Sequence, residues 1–326
     1  MTEPAPSERL RAREWLAKAL RPASRRAEPA LAPSALAQGW HRAGPVMGVV
    51  AAILLVWYAG AVWLNAPQII EKLDNIGDPW GWRELVSAAW AMERPVLPAP
   101  HQVVLDFYAS VTENEFDSPR SLVFHAGVTL SATLLGFGLG LLLGVLLAVG
   151  VVHNRVLDRG LLPWIIASQT IPILALAPMA VVVLGSLGYP PLVSKAVISM
   201  YLCFFPVAIG MVKGLRSPEV LQLDLMRTYS ASRWQLLLKL RLPASLPFLF
   251  ASAKVAIATS LVGAIVGELP TGAQAGLGAR LLQGSYFGQT VQIWSALVMA
   301  SLLGVALVAA VGITERLVGR ATGARA

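Results

Sequence analysis

The chain has 326 residues, of which 56% are hydrophobic and only 13% are charged. Soluble domains carry about 25% charged residues, so this composition excludes a water-exposed globular surface of that size, and its hydrophobicity excludes general disorder. A single cysteine, Cys203, excludes a disulfide scaffold, and the formal charge of +8 is informative only through its distribution.

A helix needs roughly 20 apolar residues to cross a bilayer. Residues 44–64 contain no charge. Segment 122–152 has His125 near its start as its one ionisable group, and 161–187 is uncharged. Residues 191–212 hold only Lys195, 244–267 hold only Lys254, and 290–314 hold no charge. The sequence therefore predicts an all-α integral membrane protein with six transmembrane helices.

Lysine and arginine favour the cytoplasmic side of a membrane. The tail 1–43 has eight basic residues against four acidic ones, whereas 65–121 has four basic against nine acidic. Segment 213–243 carries six basic and two acidic residues, and the C-terminal tail 317–326 adds Arg320 and Arg325. Basic and acidic segments thus alternate, which predicts cytoplasmic N and C termini. Topology accounts for the positive charge without nucleic acid.

The polar start is too long for a signal peptide, so the first apolar run is expected to stay in the membrane. Stretch 9–20 of the tail reads either as an amphipathic helix on the inner leaflet or as a solvated tail. Trp80, Trp82 and Trp90 suggest short interfacial helices within the outer-face segment 65–121. Residues 122–316 then form a five-helix core.

Gly136, Gly140 and Gly144 recur every four residues, a spacing that lets another helix approach closely. Pro163, Pro172 and Pro178 interrupt the third span, and Gln169 and Thr170 lie just before the break at Pro172. Those two polar residues either bond to a neighbouring helix or line a transport path. Lys254 and Glu268 are further path-lining candidates, because an intramembrane charge is costly unless it faces a cavity or a partner. About 21 Å of helix separates them, so they do not pair with each other.

No G-x-x-x-x-G-K-[ST] loop is present, so ATP hydrolysis is not expected from this chain. The four histidines, at 41, 101, 125 and 153, are scattered, and no catalytic or metal-ligand spacing appears. No bound cofactor or metal is expected.

Between the fourth and fifth spans lies SPEVLQLDLMRTYSASRWQLLLKLRLPASLP. Ser217 with Pro218 reads as a helix start, and Ser232 with Gln235 as a capping box. The pattern is helix, break near Ser230, helix, with Pro243 ending the second helix and opening the next span.

This segment resembles the cytoplasmic loop shared by permease subunits of bacterial ATP-binding-cassette importers. That pattern is E-A-A, three residues, Gly, nine residues, then I-x-L-P. Asp224, Leu225 and Met226 stand in the E-A-A place, Ser230 in the glycine place, and Leu240, Arg241, Leu242 and Pro243 at the end. The E-A-A and glycine positions depart from the pattern; the spacing and the Leu-Pro end keep it. Pro98-Ala99-Pro100 with Val103, Gly136-Phe137, Gln169-Thr170-Ile171-Pro172, Ser194-Lys195, Phe204-Phe205-Pro206, Glu268 and Gly276-Leu277-Gly278 look like the nitrate, sulfonate, taurine and thiamine-precursor branch. Residues 223–232 and 267–272 look like permeases for pyrimidine-type substrates.

The resemblance implies a type-1 importer permease fold, a coupling loop within 213–243, and a second permease copy or paralogue. It also implies cytoplasmic ATPase subunits that use ATP and Mg, and an outer-face binding protein that delivers a small polar solute. An ion-coupled secondary transporter is the alternative, with Lys195, Lys254 and Glu268 as its available intramembrane charges.

Overall fold

The computed structural model describes residues 35–76, 79–270 and 275–322, with side chains between 44 and 321. The tail stretch 9–20 lies outside the described residues. The chain divides into two compact units, one up to Val56 and one from Trp57 onward. Of the first unit, the structure describes the start of helix α1 (Ala35–Ile76), where the side chains of 45–56 are exposed and mostly apolar.

Within the second unit, α1 continues twelve residues past the predicted end of the first span. The physical reason is a stripe of Val62, Ala66, Ile69 and Leu73 that packs on Leu85 and Ala89 of α2 (Trp82–Ala91). The buried Asn65 amide is bonded at both its oxygen and its nitrogen: Nδ2 donates to Leu97 O at 3.0 Å, and Oδ1 accepts from Val96 N at 2.7 Å. Segment 65–121 is thus partly helical, with α2 and α3 (Pro100–Thr112).

The core is built on α4 (Leu122–His153), α7 (Pro191–Leu215) and α10 (Leu242–Glu268), with α7 packed against both others. Gly136, Gly140 and Gly144 form the face of α4 that meets α7. A Cβ added to Gly140 would sit 2.8 Å from Cys203 Sγ, and one on Gly136 would sit 2.2 Å from Ser199 Cβ. The absent side chains set the helix separation. Towards one end of these helices, Ala148, Val151, Cys203, Val207, Met211 and Leu215 close into a continuous apolar cluster.

The predicted third span is not one helix. It splits into α5 (Arg155–Ala167) and α6 (Ile173–Ser186), which meet at an angle of 97° across a 3-10 turn, Ser168–Thr170. Pro172 is the residue that breaks the ladder, since it offers no N–H and disfavours helix at Ile171. Pro163 and Pro178 remain inside their helices. Among the described residues, five helices are long and apolar enough to span a bilayer, and the bent pair makes up to six.

Two further differences concern the loop. Helix α8 (Val220–Thr228) starts after Glu219, not Ser217, whose hydroxyl donates back to Gly214 O at 2.8 Å. Pro243 does not end a helix either. Helix α9 (Arg233–Leu236) runs through a π-helical stretch, Leu237–Arg241, straight into α10. Widening the turn from i+4 to i+5 accommodates the missing proline donor without a break. Beyond α10 lie α11 (Leu277–Tyr286) and α12 (Thr290–Thr322).

Candidate functional site

The predicted loop residues come together at one end of the core. Helix α8 buries none of its residues; Val220, Leu221 and Leu225 are exposed apolar side chains on it, and Tyr229 just after it is exposed as well. Its end is a Schellman motif: Ala231 N donates to Met226 O at 3.0 Å, and Ser230 N to Arg227 O at 2.8 Å. Ser230 has φ 51, the one positive φ at a non-glycine among the described residues. The sequence placed the break at this residue, and the left-handed turn is its cause.

The second half of the loop is anchored where α8 is not. Ser232 N donates to Gln235 Oε1 at 2.8 Å, and Gln235 N to Ser232 Oγ at 3.3 Å, closing the expected capping box. Trp234 stacks on His153 at 6.0 Å, and Leu237 is buried in the core cluster. Asp224 pairs with Arg227 at 2.8 Å on the exposed face of α8. The π-stretch holds Leu240, and Leu242 and Pro243 open α10. The loop therefore presents one free amphipathic helix on a fixed base.

The path-lining candidates lie apart. Gln169 and Thr170 are exposed in the turn between α5 and α6, and their hydrogen bonds are local, to Ser168 Oγ and Ala167 O. Neither bonds to a neighbouring helix. The turn itself is tied to α7, because the Tyr201 hydroxyl donates to Ser168 O. Lys254 forms an ion pair with Glu315 of α12 at 2.5 Å, with both side chains about one third exposed. Glu268 lines no open surface of the single chain: it is 0% exposed.

Glu268 instead sits in a cluster that sequence reading did not assemble. Thr129 Oγ1 donates to its carboxylate at 3.0 Å, Gly278 N at 2.9 Å, and Lys195 Nζ lies 3.4 Å from Oε1. Lys195 also donates to Ala275 O at 2.9 Å. Thr129 Oγ1 accepts from Leu277 N at 2.9 Å, and His125 Nδ1 accepts from Gly276 N at 3.0 Å. His125 therefore carries its proton on Nε2, which donates to Pro119 O at 2.9 Å. Three consecutive amides at the start of α11 are satisfied by side chains of α4 and α10.

The signal available in sequence was a His and a Thr four residues apart, with Lys195 in one apolar span and Glu268 at the end of another that also holds Lys254. Nothing in spacing says that these meet. Helix α11 also carries Arg280, whose guanidinium is held below its ordinary pKa by burial, a shift that Asp106 partly offsets. Among the described residues no three His, Cys, Asp or Glu side chains converge as a metal site.

Residues 140–323 match the family described as binding-protein-dependent transport system inner membrane component. The chain is similar to a probable ABC transporter permease protein of Haemophilus influenzae, 33% identical over 64% of this chain and 83% of that protein. The formylaminopyrimidine transport permease protein ThiX of Halalkalibacterium halodurans is 32% identical, over 68% of this chain and 83% of its own length. The riboflavin transport system permease protein RibX of Chloroflexus aurantiacus is 32% identical, over 69% of this chain and 80% of its own.

Proposed function

The chain belongs to the family of inner-membrane components of binding-protein-dependent transport systems, and within that role we propose that it passes a small nitrogen heteroaromatic solute and is driven through the loop 213–243. It is a multi-pass plasma-membrane permease subunit of an ATP-binding-cassette importer, a transport component whose ATP hydrolysis belongs to a separate subunit. Family membership sets aside the ion-coupled secondary transporter.

The observation that carries the coupling reading is the exposed apolar face of α8, ended by the left-handed Ser230. An unburied amphipathic helix of nine residues has little stability alone, so it fits a groove on a cytoplasmic ATPase that completes its packing. Closure of the ATPase pair then moves α8, and through α9 and α10 the bundle, as a rigid-body switch. A second permease copy or paralogue faces this one across the path, and an outer-face binding protein supplies the solute. Both termini and the loop lie on the cytoplasmic side. Gln169 and Thr170, at the bend, are the polar groups proposed to line the path.

The solute class rests on two relatives whose names print formylaminopyrimidine and riboflavin. Both compounds present planar rings with hydrogen-bonding nitrogens. The test is uptake of labelled formylaminopyrimidine and riboflavin by proteoliposomes holding this permease with its ATPase and binding protein. ATP-dependent uptake of either supports the reading. Uptake of taurine or nitrate in their place overturns the heteroaromatic assignment.

A further inference from the structure

We propose that Glu268 is a positioning residue that joins α11 to the outer ends of α4, α7 and α10, so that these elements move as one body when the inner loop is displaced. The proposal rests on the coupling-loop reading for the source of the motion, but the joint itself is read from contacts. Residues Arg233–Glu268 form one uninterrupted helical run from the loop to this carboxylate, about 50 Å at 1.5 Å per residue. Glu268 is the last residue of α10, and its oxygens hold Gly278 N and Thr129 Oγ1.

There is no slack in the joint. A Cβ added to Gly276 would lie 2.2 Å from Glu268 Cδ, and one on Gly278 would lie 2.3 Å from Ile265 O. Lys195 bridges the carboxylate and Ala275 O, which ties the approach to α11 onto α7. Both charged side chains are at least nine-tenths buried. Pulling them apart would strand a charge in a low-dielectric interior, which is far costlier than moving the elements together. Thr129 is the most informative residue, because its one hydroxyl serves both Glu268 and Leu277 N.

The experiment uses the full importer complex in nanodiscs, with ATP and vanadate as the probe. Spin labels go on Tyr286→Cys of α11 and Leu135→Cys of α4, both exposed positions, in a Cys203→Ser background. With the label pair on one permease copy of the complex, the expected result is a single label distance, unchanged by vanadate trapping, in the parent protein and in Thr129→Ser. Thr129→Val, which keeps the shape and loses the hydroxyl, should add a second population at longer distance. So should the charge-free double variant Lys195→Met with Glu268→Gln.

A parent distance that shifts on trapping overturns the proposal, as does an unchanged single distance in both Thr129→Val and the double variant. Failure of Thr129→Val to assemble also overturns it, because the cluster would then be a folding determinant. No transported solute enters this readout, so it stands apart from the coupling loop, whose failure appears only in variants of Ser230 and Asp224.

Discussion

Lys195 Nζ stands 3.4 Å from Glu268 Oε1, with the two side chains 7% and 0% exposed, which joins α7 and α10 by a buried ion pair. Removing one partner of such a pair costs about 3–5 kcal/mol, because the other is left charged and unmatched. Lys195→Met alone should therefore lower the melting temperature of the detergent-purified protein strongly. Adding Glu268→Gln should recover part of that loss. A double variant no more stable than the single one would contradict the pairing.

Gly276 and Gly288 give a matched comparison. Both have positive φ, 126 and 64, but a Cβ meets Glu268 at the first and nothing within 4 Å at the second. Gly288→Ala should cost about 1–2 kcal/mol, the penalty for a left-handed L-residue. Gly276→Ala should cost clearly more, since backbone strain and a clash with the carboxylate add. Thermal melts of the two variants side by side check this.

The α4 glycines allow the same kind of contrast on one helix. A Cβ at Gly138 meets nothing within 4 Å, while at Gly140 it lies 2.8 Å from Cys203 Sγ. Gly140→Ala should destabilise by about 1–3 kcal/mol, the usual range for overpacking. Gly138→Ala should be neutral or slightly stabilising, because alanine is the better helix former. Equal melting temperatures would contradict the close α4–α7 contact.

Much of the architecture is legible in the sequence because hydrophobic length and glycine spacing act locally. Gly136, Gly140 and Gly144, the capping box at Ser232, and the break at Ser230 can all be placed from residues within a few positions of each other. The end of the first span is not legible, since Asn65 is satisfied by Val96 and Leu97, thirty residues away. Pro243 misleads because the π-stretch before it absorbs the missing donor. The Glu268 cluster draws on positions 125, 129, 195 and 276–278, separations over which no periodicity carries information.

Topology has a direct chemical check. Ser87 in α2 and Ser217 before α8 are both exposed. Single cysteines at these sites, in a Cys203→Ser background, should react differently with an impermeant thiol reagent on intact cells. Position 87 should label and position 217 should not. The reverse pattern would invert the orientation proposed from the charge distribution.

Loop 213–243 is proposed to receive the drive from the ATPase, and this coupling is read from ATPase activity of the reconstituted complex stimulated by loaded binding protein. Ser230→Gly should retain or improve stimulation, because glycine removes a left-handed penalty of about 1–2 kcal/mol. Ser230→Val should lose most of it, since a β-branched side chain is least tolerated at positive φ. Asp224→Lys should lose it as well: the exposed Asp224–Arg227 pair adds little stability, so its effect is on docking and not on folding. Loss of stimulation in both Ser230→Val and Asp224→Lys, with normal membrane insertion, is the predicted result. Parental stimulation in both would contradict the account.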